Sequence, residues 1–227
     1  MRNRIIMVAV LATLLLLSQA ALASHFCGGN GMVKLSFTAG PELEAAKTVE
    51  PGEGGMTTVQ VWAVLEDVVP LEGPMGAFLA LGGFELELVV EGAEFTITEK
   101  KIDIPHRDFG ATVAQCRVGS VPGEPIVDGR LVLCHWTVLF TGEVSDVRFS
   151  LNPKGIPTCN GDEDCDASGA SAIYVGSVDS GQEGEIFGAG QVPAVLNPSG
   201  KLKVKAVPFE VGFEEVGRYK PRVSRRQ

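Results

Sequence analysis

The feature that most constrains this chain is alternation. From residue 32 onward, apolar and polar side chains trade places at a period of two through segment after segment. In "TTVQVWAVLED" (57–67), Val59, Val61, Ala63 and Leu65 fall on one side. In "GFELELVVEG" (83–92), Phe84, Leu86 and Leu88 oppose Glu85 and Glu87; in "AEFTITEKKIDI" (93–104), Phe95 and Ile97 oppose Thr96 and Thr98. "MVKLSFTA" (32–39), "GRLVLCHWTVLFTG" (129–142), "DVRFSL" (146–151), "SAIYVGSV" (171–178) and "KLKVKAVPFEV" (201–211) continue the series. Successive side chains of an extended strand point to opposite faces, so these segments read as half-buried strands. The gaps between them ("EPGEGG", "VPGEP", "NPKG", "NPSG") hold residues that favour turns for conformational reasons.

Only "GPELEAAKTVE" (40–50) has room for a turn or two of helix. A helical domain needs apolar stripes at a period of 3.6, and a parallel α/β sheet needs helix-length amphipathic connectors. Neither pattern occurs. The chain is therefore expected to be all-β: a two-sheet antiparallel β-sandwich, jelly-roll-like, with about nine or ten strands.

The two ends differ from the middle. Residues 1–23 run from Arg2 and Arg4 through "IIMVAVLATLLLL" to Ala21-Leu22-Ala23. That is the layout of a secretory signal peptide, too short in its apolar run for a membrane span. The expected mature domain is 24–211, exported to the periplasm, the cell surface or the medium, with no transmembrane helix. The last residues, 212–227, form a basic tail: Arg218, Lys220, Arg222, Arg225 and Arg226, with no acid after Glu215. Such a tail can solubilise the chain, aid sorting, or contact anionic surfaces. The whole chain nevertheless carries a formal charge of −9. An acidic body repels phosphates, which argues against a nucleic-acid role.

Export makes the five cysteines relevant. In 131–140, Val132, Cys134, Trp136, Val138 and Phe140 share the better core face, leaving Leu131, Leu133 and His135 on the other. In 112–118, Ala114, Cys116 and Val118 share a face. Cys116 and Cys134 are thus both expected to point inward, and a bridge between them would be worth about 3 kcal/mol in the chain-entropy picture. Cys27 competes for either partner. Cys159 and Cys165 enclose "NGDED" and suit a local bridge.

Catalytic signatures are sparse. "PHRDFGATV" (105–113) fuses two triplets familiar from protein kinases around one aspartate, Asp108. A kinase needs those acids as two separate residues with a glycine-rich phosphate loop upstream, so the segment reads as a loop leading to Cys116. No zinc-protease histidine pair or serine nucleophile elbow is present. Glu85 and Glu87 share a strand face and are the weak case for a secreted hydrolase. Asp162, Asp164 and Asp166 have the D-x-D-x-D spacing that can converge on calcium. Ala167 and Ile173 stand where an EF-hand needs Gly and Glu, so a non-EF calcium loop and a solvated acidic turn stay open as alternatives. Trp62 shares a face with Gln60, Val64 and Glu66, where it could stack on a sugar or lie under a second covered surface.

The run from "VQVWAVLEDV" to "LGGFELELVVEGAEFTITEKKI" (mainly 57–102) resembles the early strands of cohesin-like and carbohydrate-binding β-sandwiches of secreted bacterial proteins. That resemblance implies a non-enzymatic module binding an extracellular protein or polysaccharide surface through a sheet face. The expected function is accordingly an extracellular or cell-envelope binding or structural module, with carbohydrate binding as the first alternative.

Overall fold

The computed structural model describes residues 26–68, 71–73, 76–78, 80–152, 166–167, 172–176, 185–200, 204–208 and 211–212. Its strands are β1 (Phe26–Ser36), β2 (Ala46–Lys47), β3 (Met56–Glu66), β4 (Leu71–Gly73), β5 (Gly76–Phe78), β6 (Ala80–Glu91), β7 (Phe95–Ile102) and β8 (Arg107–Asp108). They continue with β9 (Gln115–Pro125), β10 (Leu131–Thr141), β11 (Val147–Leu151), β12 (Asp166–Ala167), β13 (Ala172–Gly176), β14 (Glu185–Val192), β15 (Ala194–Leu196) and β16 (Val211–Gly212). Among the described residues the only helical piece is a single 3-10 turn at Glu53–Gly55. No helix there is long and apolar enough to cross a membrane. The 40–50 segment is bends and the short strand β2 rather than helix.

Two layers make a sandwich. One runs β7–β10–β3–β1–β14; the other has β6 at its centre, with β9 and β8 on one side and β11, β15 and β2 on the other. β13 pairs with both β6 and β14, joining the layers along one side. The sheets are mixed, which corrects the purely antiparallel expectation. β1 runs parallel to β14, and β2 parallel to β15. Parallel neighbours need long crossovers, and each of these pairs brings the start of the domain against its end.

The alternation builds the core as expected. Val59, Val61, Ala63 and Leu65 of β3 are buried, as are Phe84, Leu86 and Leu88 of β6 and Trp136, Val138 and Phe140 of β10. Phe149 of β11 meets Phe140 edge-on at 6.1 Å and Phe37 at 5.7 Å, so an aromatic trio spans the layers at one end. Two details depart from simple alternation. A bulge in β10 pairs Val132 with Val64 and Cys134 with Ala63, leaving Leu133 as the extra residue. Leu133 is consequently buried, while Val132, expected in the core, is half-buried. Phe95 is exposed because β7 is an edge strand.

The sheet expected over 201–211 is also different. Among the described residues there, Val207 makes one isolated bridge to Gln191, and Val211–Gly212 forms a short strand paired with β12. Gln191 does more than pair through its backbone. Its buried amide accepts from Leu151 N at 2.8 Å and donates to Leu151 O at 2.9 Å, supplying the end of β11 with a surrogate strand partner.

Candidate functional site

The outer face of β8, β9, β6 and β11 follows from the polar half of each alternating strand. β6 contributes Glu85 and Glu87, β9 contributes Gln115 and Arg117, and Asn152 follows β11. Glu87 is held by Gln115 Nε2 at 2.9 Å and Asn152 Nδ2 at 2.8 Å. Arg117 Nε lies 3.9 Å from Glu85. Both acids are thus engaged with basic or amide neighbours across the sheet, the arrangement of a charged surface rather than of an acid–base pair.

At the rim of this face stands the fused triplet segment. Asp108 Oδ1 accepts from Gly110 N at 2.9 Å and Arg117 N at 3.3 Å. Its Oδ2 lies 2.6 Å from Lys100 Nζ. Lys100 belongs to β7 in the opposite layer, and its ammonium also donates to Gln115 O at 2.6 Å and Thr112 O at 3.3 Å. Burial alone would raise the Asp108 pKa, but the Lys100 ammonium and the two backbone N–H groups outweigh it and hold the carboxyl below its usual range. Phe109 N donates to Arg117 O at 2.7 Å, and Ser120 Oγ donates to Pro105 O at 2.7 Å. Gly110 is required here, since a Cβ would run into Gln115 O. Within this frame Phe109 is 68% exposed, beside Gly119 of β9, with Val113 also exposed. Asp108 is a clamp, and the residue it presents is an aromatic ring.

The opposite outer face carries a second cluster. His135 Nδ1 lies 2.8 Å from Asp103 Oδ2, and the imidazole stacks on Trp62 with centroids 4.0 Å apart. His135 is buried and Trp62 half-buried. Among the described residues this imidazole meets no Ser, Thr or Cys that it could activate. Nearby, Arg130 donates to Glu66 at 3.0 Å and to Ala39 O and Gly40 O at 2.9 and 2.7 Å. The 38–44 segment is therefore fastened over this face, further held by Ser36 Oγ and Glu44, and Val64 beneath is fully buried. Lys34 lies 2.9 Å from both Glu66 and Asp67; hydrogen bonds to Asp67 and then Glu66 raise its pKa. Trp62 thus has one ring face committed to His135.

Cys116 and Cys134 are both fully buried, with sulfurs 3.6 Å apart. Cys159, Cys165, Asp162 and Asp164 lie outside the described residues, and Asp166 opens β12. Among the described residues no group of three or more His, Cys, Asp or Glu could hold a metal ion. The Lys100 clamp and the His135–Asp103 pair were not foreseen; each depends on how separate segments fold back on one another, and alternation alone carries no signal for either.

No family model matches the sequence, and no curated protein matches it. Solved structures similar to it include cohesin modules. The seventh ScaB type I cohesin from Pseudobacteroides cellulosolvens aligns at a TM-score of 0.44 and 7% identity, covering 78% of this chain and 97% of that one. The cohesin module of a family 33 glycoside hydrolase from Clostridium perfringens aligns at 0.39 and 12%, covering 75% and 98%. The third ScaB cohesin of R. flavefaciens, solved in complex with a group 1 dockerin, aligns at 0.38 and 12%, covering 75% and 97%. The resemblance is weak, and it falls on the family read from residues 57–102.

Proposed function

We propose that this chain is an exported, non-enzymatic module that binds a protein through the face formed by β8, β9, β6 and β11. The observation that carries this reading is Phe109, 68% exposed on a loop fixed at its base by Lys100 and Asp108. A large aromatic ring held in water is costly to leave unused. Rigid aromatic anchors ringed by polar residues are what concentrate binding energy at protein interfaces. Glu85, Arg117, Glu87 and Gln115 supply the surrounding polar rim. The other face suits docking less well, since the Arg130-tethered segment covers part of it. That also weighs against the carbohydrate alternative, as the Trp62 ring is already stacked on His135. Export rests on the signal-like residues 1–23.

The test is a binding comparison of the chain and its Phe109→Ala variant against envelope and secreted protein fractions and a glycan array. Loss of an anchoring aromatic should weaken protein binding by roughly 30-fold or more, about 2 kcal/mol, with an unchanged melting temperature. Protein binding indifferent to Phe109→Ala and to Arg117→Glu would refute the assignment of this face. A glycan signal abolished by Trp62→Ala would favour the carbohydrate reading instead.

A further inference from the structure

The two fully buried cysteines face each other across the interior of the sandwich. Cys116 lies on β9, opposite Leu86 of β6 in one layer. Cys134 lies on β10, opposite Ala63 of β3 and Ile102 of β7 in the other. Their sulfurs, 3.6 Å apart, need only a small approach to reach the bonding distance of about 2.05 Å. Six residues along β10, about 20 Å away, Phe140 makes the aromatic contact to Phe149 at the other end of the core. Inside the core, the end containing the cysteines has no comparable aromatic pair among the described residues; the Trp62–His135 contact there lies on the outer face.

We infer that Cys116 and Cys134 form a disulfide joining the two layers, installed during folding by exchange with a disulfide oxidant such as oxidised glutathione or an oxidised dithiol protein. One cysteine thiolate attacks a sulfur of the oxidant and expels a thiolate, giving a mixed disulfide. The second cysteine, as thiolate, attacks the protein sulfur of that mixed disulfide and expels the other oxidant sulfur as a thiolate, and both expelled thiolates take up the protons the cysteines released. The protein loses two protons and two electrons; the oxidant disulfide is reduced to two thiols. Burial fixes the order of events. In the packed core, desolvation and then the adjacent Cys116 push the Cys134 thiol well above its usual range, so little thiolate exists there. Neither sulfur is open to an oxidant once the layers close, so the exchange precedes closure. The same burial then shields the finished bridge from reductants.

The sequence offers a clean assay. Cleavage after Arg107, Arg117, Arg130 and Arg148 places Cys116 in Asp108–Arg117 and Cys134 in Leu131–Arg148, each peptide with one cysteine. The full chain is refolded in a buffer of oxidised and reduced glutathione, alkylated under denaturing conditions and digested without reduction. The expected product is these two peptides linked, two hydrogen masses below their sum. Recovery of either peptide alkylated, or joined to a peptide bearing Cys27, Cys159 or Cys165, overturns the inference. Melting of Cys116→Ala, Cys134→Ala and the double variant provides the second readout. A bridge predicts a loss of roughly 6–12 °C for each single variant and little further loss for the double. Losses that add would mean two separately packed thiols and would equally overturn it.

Discussion

Lys100→Met is the most informative single perturbation outside the cysteines. The Lys100 side chain is only 13% exposed, and its ammonium faces Asp108 Oδ2 and two backbone carbonyls at once. Methionine keeps most of the stem but leaves a 21%-exposed carboxylate and those carbonyls without their cation. A net hydrogen bond involving a charged group contributes about 1.5–3 kcal/mol, and partial exposure places this site toward the lower end. The expected loss is about 2 kcal/mol, a fall of roughly 4–8 °C in melting temperature for a domain of this size. Asp108→Asn should cost about 1 kcal/mol. The double variant should fall short of the sum by about 1 kcal/mol, because both changes remove the same contact.

The pH dependence of that cycle has a definite sign. The Asp108 pKa is depressed in the folded state, so the folded chain favours the ionised carboxylate. Its contribution is fully present above the unfolded aspartate pKa of about 3.9 and is lost as the pH falls through the lower folded value. The gap in melting temperature between the parent chain and Asp108→Asn should therefore hold steady from neutral pH down to about 5 and narrow below about 4. Thermal melts by circular dichroism across that range, with all four chains of the cycle, measure both quantities. Additive losses, or a gap unchanged at low pH, would refute the clamp.

Further outcomes follow from other contacts. Gln191→Leu orphans both the N–H and the C=O of Leu151 in the core; a loss of about 2–4 kcal/mol is expected in denaturant titrations. Thr57→Val should be neutral or stabilising by up to about 1 kcal/mol, since the buried Thr57 hydroxyl has no hydrogen-bond partner among the described residues. If Asp162, Asp164 and Asp166 bind calcium, chelator should lower the melting temperature and added calcium restore it; an unchanged melt would count against that loop as a calcium site.

Much of the architecture was legible because burial on one face writes itself into a strand at period two. β3, β6 and β10 were readable for that reason, and so were the inward directions of Cys116, Cys134 and Trp136. β14 was not, because "EIFGAGQV" has glycines where apolar side chains would mark a face. One of them, Gly190, leaves no space for a Cβ between Met32 of β1 and Val207 O. A strand chosen for close backbone approach loses the very residues that would announce it. The parallel pairings were equally hidden, since they depend on which distant segments meet rather than on the pattern within either.

Lys100 shows why the candidate site was harder to read than the core. In "TITEKKI" it occupies an unremarkable place among polar residues, and a lysine on an edge strand ordinarily points to water. What makes it different is the 108–115 segment, which returns to place Asp108, Thr112 and Gln115 around its ammonium. The same return sets Phe109 on the rim of one face and carries the chain into β9, where Cys116 faces Cys134. One lysine from the opposite layer thus fixes the base of the exposed aromatic and the entry to the buried sulfur. If both proposals hold, Lys100→Met should weaken partner binding without Phe109 being touched. The Cys116–Cys134 link should persist, since the sheet pairing of β9 with β6 aligns Cys116 independently of the loop. Loss of the link together with binding would instead mean that the loop, and not the sheet, aims the sulfur.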